Sequence, residues 1–198
     1  MINYLTVKDQ LSGLYTIRKD GAELARGNYL NGKRVGNWYF FSYNKELALR
    51  YNYDSGKILF ADEKLLAAAA VKVYTDTESV RDRASVPVPV FSIQQYYYLA
   101  TAAATAEVPE KDLKYLDKEN VVIVAHISST AEVTYEVRYI LKGGKQQTRT
   151  FQLDKGAFKI DWIPSTADGK TYDSDFFFLT RLSATQGNQE GHKRFSWY

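Results

Sequence analysis

The chain has no cysteine. That single absence removes a disulfide framework, a thiolate metal site and a cysteine nucleophile, while leaving the compartment open, because an envelope protein can do without disulfides. Histidine is almost absent too: only His126 and His192 could serve as an imidazole base or ligand. No G-x-S-x-G elbow, H-E-x-x-H pair, P-loop or G-x-G-x-x-G is present, and Gly143-Gly144 reads as a hairpin turn with no phosphate to cradle. There is no run of about eighteen apolar residues, so no membrane-spanning helix is expected. The start, Met1-Ile-Asn-Tyr-Leu5, lacks the basic-then-apolar shape of a secretion signal. The expectation is a non-enzyme with no cofactor and no bound metal.

What the chain has in quantity is aromatic residues. Sixteen Tyr, ten Phe and three Trp make 15% of 198 residues, a loading that suits half-buried strands better than helical bundles. Apolar residues at 45% exclude a disordered protein. The net charge is +3, divided unevenly: residues 1–61 hold nine Lys/Arg against five Asp/Glu, the remainder seventeen against eighteen. The basic excess is scattered singly, with Lys33-Arg34 the densest pair, which reads as a solvated face and not as a nucleic-acid interface.

The first sixty residues contain an internal repeat. Gly13-Leu-Tyr-Thr-Ile-Arg-Lys-Asp-Gly-Ala-Glu-Leu-Ala25 is answered by Gly36-Asn-Trp-Tyr-Phe-Phe-Ser-Tyr-Asn-Lys-Glu-Leu-Ala48, and Asn28-Tyr-Leu-Asn-Gly-Lys33 by Asn52-Tyr-Asp-Ser-Gly-Lys57. Lys8 to Gly13 echoes Asn31 to Gly36, a partial earlier copy. So short a unit must lean on its neighbour to bury its rings, which predicts a stack of β-hairpins. Asp20-Gly21, Asn31-Gly32 and Ser55-Gly56 supply turns that accept positive φ, and Gly13 and Gly36 join them as structural glycines. Alternation places Tyr15 and Ile17 on one face, with Thr16 and Arg18 opposite. In the second copy Trp38 and Phe40 share a face while Tyr39 and Phe41 take the other, so something must cover both.

The pattern G-x-W/Y, a turn, E-L, then N-Y-x-N-G-K-x-x-G resembles the variant MORN repeat of bacterial proteins, a type associated by name with antitoxins. The resemblance implies an interaction or spacer module.

Past Ala61 the composition shifts. Asp62 to Ala70 reads as a short helix or as the approach to a strand over Val71 to Thr75, Thr77 to Ser85 as a polar connection, and Pro87 and Pro89 exclude a helix. The expected organisation is therefore residues 1–61 as hairpin repeats, 62–86 as a connection and 87–198 as a second domain. Its helix starts at Ser92, with Gln95 completing a capping box and Phe91 stapled to Tyr96. Ile93, Tyr96, Tyr97, Ala100 and Ala104 form its buried stripe. A helical turn within Glu110 to Glu119 precedes strands at Val121–Ile127, Glu132–Leu141, Thr148–Leu153, Phe158–Ile163 and Phe176–Leu182. Lys142-Gly-Gly-Lys145 turns between two of them. A polar loop, Gln186 to Gly191, then leads to a final strand within Lys193 to Tyr198. The fold class is α+β and β-rich: a hairpin module, then a small antiparallel sheet with one or two helices.

Within this half, Pro89-Val-Phe91, Tyr98-Leu99, Val108-Pro109, Asn120-Val-Val-Ile-Val124, Asp161-Trp-Ile-Pro164, Asp168-Gly-Lys170 and the strand from Phe176 resemble a diverged TonB C-terminal domain over residues 89–184. The resemblance implies a sheet edge to which a partner's extended segment adds. It also implies a periplasmic or outer-membrane-associated location. Trp162 and Pro164 then lock the sheet beneath the last strand.

Three functions compete at this point: a non-catalytic protein-binding or scaffold protein of the bacterial cell envelope, a cytoplasmic antitoxin or immunity-type protein, and a carbohydrate-binding module stacking sugars on Trp38, Tyr39 and Tyr53. The first is favoured. His126 alternates with Val122 and Val124 and reads as a packed, hydrogen-bonded strand residue; His192 and the pair Asp173 and Asp175 read as solvated.

Overall fold

The computed structural model of the chain describes residues 2–3, 6–7, 10–19, 21–62, 69–153, 159–180, 183–185 and 194–196. The fold is β-rich, with few helices and several antiparallel sheets. It divides into two compact units: Met1–Ala67 with Pro89–Tyr97, and Ala68–Val88 with Tyr98–Tyr198.

In the first unit the strands are β1 (Ile2–Asn3), β2 (Thr6–Val7), β3 (Gln10–Leu11), β4 (Gly13–Lys19), β5 (Ala22–Leu30), β6 (Lys33–Phe41), β7 (Leu47–Asn52) and β8 (Lys57–Ala61). Strands β4 to β8 form an antiparallel meander extended by β1, in the order β1-β4-β5-β6-β7-β8, while β2 and β3 make a separate short ribbon. Asn31 and Gly32, with φ of 51° and 77°, close β5 onto β6 with Leu30 opposite Lys33. Both torsions are left-handed, which is the backbone that a two-residue hairpin with the strands' own twist requires. Asp20 and the residues around Lys8 lie outside the described residues.

One face of this sheet is an aromatic core. Trp38 is fully buried, with Tyr15, Tyr29, Phe40 and Tyr53 at ring-centroid distances of 5.9, 5.2, 6.1 and 6.0 Å. Its indole N–H donates to the Asn28 carbonyl at 3.1 Å. On the strand beside it Gly27 has no side chain, and the indole occupies that space: a Cβ there would lie 2.1 Å from Trp38 Cδ2. Arg34 lies over the Trp38 and Tyr53 rings at 5.2 and 5.7 Å and donates to the hydroxyls of Tyr29 and Tyr53 at 3.1 and 2.9 Å. Burial of a ring of this size contributes about 2–3 kcal/mol.

Phe91 meets Phe40 edge-on at 5.5 Å, and the Gln95 side-chain amide donates to the Phe41 carbonyl. That bond corrects the expected capping box. Gln95 is engaged with β6, and the buried Ser92 hydroxyl has no hydrogen-bond partner, although the Ser92 carbonyl accepts from Tyr96 N–H at 2.8 Å.

The second unit begins with β9 (Ala70–Val73) and helix α1 (Glu78–Arg83), and β10 (Val88–Pro89) lies at the junction. Helix α2 (Ile93–Glu107) contributes its first residues to the first unit and the rest to the second; Ile93, Tyr96, Ala100 and Ala104 are buried and Tyr97 is half-buried. Then come α3 (Glu110–Leu113), β11 (Leu116–Ile127), β12 (Val133–Leu141), β13 (Gln146–Phe151), β14 (Trp162–Ile163), β15 (Ser165–Ala167), β16 (Lys170–Tyr172), β17 (Ser174–Thr180), β18 (Ser183–Thr185) and β19 (Arg194–Ser196). The main sheet is antiparallel throughout, in the order β13-β12-β11-β17-β9. Ile123, Ala125, Ile127, Val137, Tyr139 and Phe176 fill one face. Trp162 adds an indole N–H bond to the Tyr135 hydroxyl at 2.9 Å and an edge contact with Phe176 at 5.4 Å, and Pro164 follows it half-buried. The Tyr139 hydroxyl donates to Asp112 Oδ2 at 2.9 Å; burial first, and then this bond, push its pKa up.

Several expected elements differ. The polar connection contains α1, which buries none of its residues and so leaves no apolar stripe to detect. The strand expected over Phe158–Ile163 is limited to Trp162–Ile163 among the described residues, and β11 starts at Leu116 where the charged segment masks its alternation. His192, the loop from Gln186 to Gly191 and the segment 63–68 lie outside the described residues. Among those residues no helix is long and apolar enough to cross a membrane.

Candidate functional site

Two places carry unusual chemistry, one in each unit. In the second, the main sheet's less buried face holds a polar ladder. Cross-strand register sets Thr134, His126, Asp175 and Lys72 in one row over β12, β11, β17 and β9. His126 Nδ1 lies 2.7 Å from Asp175 Oδ1, and Nε2 lies 3.3 Å from Glu136 Oε1. The Tyr74 hydroxyl donates to Asp175 Oδ2 at 2.7 Å, and Arg138 pairs with Glu136. That bond to Asp175, followed by burial and the carboxylate's charge, raises the Tyr74 pKa. A shallow pocket of about 400 Å³ lies alongside, lined by Tyr74, His126, Ser128, Glu132 and Asp173 among others.

This arrangement corrects the solvated reading of Asp175, which is only 6% exposed; Asp173 is exposed and its Oδ1 accepts from Ser129 N–H at 2.6 Å. Carboxylates flank the imidazole, with Asp175 at hydrogen-bond distance from Nδ1 and Glu136 beside Nε2. The same geometry spreads the two acids apart, and no group of three potential ligands converges on one point among the described residues. The ladder braces four strands.

The second place is the outer face and far edge of the hairpin sheet. Register aligns Thr16, Arg26, Tyr39, Arg50 and Phe60 in one row from β4 to β8. Arg26 covers the rings of Tyr39 and Phe41 at 5.1 and 5.5 Å, which is the cover their exposed-face position demanded. Arg18 and Arg26 share Glu23 at 3.5 and 3.4 Å. Arg50 is half-buried between Tyr39 and Phe60, and its Nε is shut from solvent with no hydrogen-bond partner. Beyond it β8 pairs with β7 on one side, and no described strand pairs with the other. Ile58, Leu59 and Phe60 on this edge are 38%, 43% and 43% exposed.

The residues nominated as sugar platforms fall elsewhere. Trp38 is 0% exposed and Tyr53 packs against it, so a sugar cannot stack on the indole; strand alternation could not reveal which of the two aromatic faces lies inward. Tyr39 is half-buried beneath Arg26. Gly13, Gly32, Gly36 and Gly56 have φ of 84°, 77°, 62° and 65°. Missed in the sequence were Gly27, whose role depends on a ring across the sheet, and the Ile58-Leu59-Phe60 run, whose three consecutive apolar residues were the available signal. Compared with known proteins, the chain matches no family model, no curated protein and no solved structure.

Proposed function

We propose that this is a non-catalytic protein-binding or scaffold protein of the bacterial cell envelope, whose repeat hairpins present the β8 edge to an extended segment of a protein partner. The observation that carries the reading is the contrast between two edges. Edge strand β13, Gln-Gln-Thr-Arg-Thr-Phe, exposes polar side chains and an arginine, the usual protection against unwanted strand pairing. Edge strand β8, Lys-Ile-Leu-Phe-Ala, exposes three large apolar residues in succession behind one lysine. An unprotected apolar edge is an aggregation hazard unless a partner occupies it.

The finer architecture belongs to the same proposal. The MORN-type repeat is supported by equivalent positions: Tyr15 in the first copy and Trp38 in the second occupy the same buried face of successive hairpins. The TonB-like character of the second unit, and with it the envelope location, rests on the resemblance of residues 89–184.

A display library of extended ten-residue peptides, panned against the full chain and against Leu59→Lys and Leu59→Pro, tests the binding mode. Enrichment that disappears with both variants, while their circular dichroism stays native, supports it; equal enrichment on all three overturns it. Fractionation of bacteria expressing the gene from its own start tests the location, and recovery in the cytoplasm alone refutes the envelope assignment.

A further inference from the structure

We infer that the segment accepted at β8 is acidic: an extended stretch of another protein in which apolar side chains alternate with carboxylates. The inference rests on the edge-binding reading above and adds the partner's chemistry. Cross-strand register sorts the side chains of β4 to β8 between the two faces. Phe60 lies opposite Arg50, and Lys57 opposite Asn52 and through it Asn37, all on the outer face. Ile58 lies opposite Tyr51 on the face that carries Trp38, and Leu59 sits where the register shifts. The same alignment puts Arg18, Arg26 and Lys33 outward. Within these strands the outer face therefore carries Arg18, Arg26, Lys33, Arg50 and Lys57 against the carboxylate of Glu23, which Arg18 and Arg26 already share.

An added seventh strand meets this asymmetry directly. Its inward positions continue the apolar row next to Ile58. Its outward positions extend the row that runs Arg26, Tyr39, Arg50, Phe60. A residue placed opposite Phe60 is two strand spacings from Arg50, about 10 Å, which the combined lengths of an arginine and a glutamate span over the Phe60 ring. Arg50 is the cation of that row nearest the edge, one strand in from Phe60, and its Nε makes no hydrogen bond that would fix the guanidinium in place. A second carboxylate falls beside Lys57 at the start of the edge. Lysine at the same positions would stand against these cations, so the charge pattern also rejects the wrong segment.

A polypeptide fits better than a nucleic acid. The side of β8 that no described strand pairs with offers a row of backbone N–H and C=O groups that matches another strand and not a sugar-phosphate backbone. The rings that bases would stack on, Tyr39 and Phe41, are already covered by Arg26.

Three synthetic ten-residue peptides test the inference by fluorescence anisotropy at low salt. All share the same alternating valines, and the intervening positions are Glu, Gln or Lys. The full chain should bind the Glu peptide about fivefold or more tightly than the Gln peptide, as one or two exposed ion pairs allow. Salt should erase that preference. Arg50→Gln should lose the preference and keep Gln-peptide binding, and Lys57→Gln supplies the same readout if Arg50→Gln is unfolded. Leu59→Pro should lose all three peptides. If the Glu, Gln and Lys peptides bind alike and only Leu59→Pro matters, the acidic specificity is wrong and edge binding stands. If none binds, or binding survives Leu59→Pro, both fail. A concentration-dependent dimer that Leu59→Pro abolishes, or tighter binding of a single-stranded oligonucleotide than of the Glu peptide, would name a different occupant and overturn the inference.

Discussion

Replacing Gly27 by alanine should destabilise the hairpin sheet strongly, although alanine is ordinarily the better strand residue by about 0.5–1 kcal/mol. The added methyl would lie 2.1, 2.3 and 2.5 Å from Cδ2, Cε2 and Cγ of Trp38, where carbon atoms normally rest about 3.5–4.0 Å apart. The indole must therefore move by more than an ångström. It has nowhere to go, being fully buried with Tyr15, Tyr29, Phe40 and Tyr53 around it. Overpacking of this kind costs about 1–3 kcal/mol. Moving the ring also breaks the bond to Asn28 O and strands a buried N–H, a further cost of about 1–3 kcal/mol. After the gain from alanine is subtracted the net loss is about 3 kcal/mol, a large share of a domain's usual stability. Urea denaturation followed by circular dichroism measures it. In a Trp38→Ala background, which lacks the overlapped ring atoms, the Gly27→Ala loss should shrink by more than about 1.5 kcal/mol in a double-mutant cycle. A Gly27→Ala protein within about 0.5 kcal/mol of wild type, or a cycle without coupling, would refute the packing argument.

Three further outcomes follow from the same geometry. Gly32→Val should cost about 1 kcal/mol or more by thermal or urea denaturation, because φ of 77° is strained for a branched side chain even though no neighbour is within 4 Å of the new Cβ; a wild-type melting curve would count against the hairpin. Asp175→Ala should destabilise by about 2–3 kcal/mol, since it strips His126 Nδ1 and the Tyr74 hydroxyl of a buried acceptor, and Tyr74 should then ionise at lower pH in an ultraviolet titration referenced to Tyr74→Phe. Burial pushes the Tyr97 pKa up to about 12. Its folded value exceeds the unfolded one near 10, so the stability it confers is complete below about pH 10 and is lost as pH rises towards 12. Partial exposure holds that loss to about 1–2 kcal/mol, and Tyr97→Phe, compared at pH 9 and 12, should be less sensitive to alkali than wild type; equal alkaline losses in the two proteins would exclude this source.

Elements set by near neighbours in the chain were the most legible. The Asn31-Gly32 turn needs only two residues with left-handed φ, and the strands on either side alternate plainly, so the hairpins could be drawn from the sequence. Helix α2 was visible through its buried stripe, and its start after Ser92 was placed correctly, whereas the side-chain bonds of its cap were not. Ser92 and Gln95 have the spacing of a capping box, but the Gln95 amide finds a stronger claim on the Phe41 carbonyl, fifty-four residues away in the chain. Helix α1 escaped because an exposed helix with no buried residue carries no periodic signal.

The candidate sites failed to show for a related reason. Alternation tells which residues share a face and is silent on which face turns inward, so Trp38 and Tyr39 were equivalent until the sheet was assembled. Asp175 meets His126 only because β17 lies beside β11, a pairing between strands forty-nine residues apart. The edge is harder still, since a strand becomes one by what fails to pair with it. Within β8 the sequence offers three apolar residues in a row, equally consistent with a strand buried on both faces; only the sheet order distinguishes the two. The proposed function rests on that difference: the same Ile58-Leu59-Phe60 run would be inert in the middle of the sheet, and only at its margin beside Arg50 does it leave apolar side chains for a partner's strand to meet.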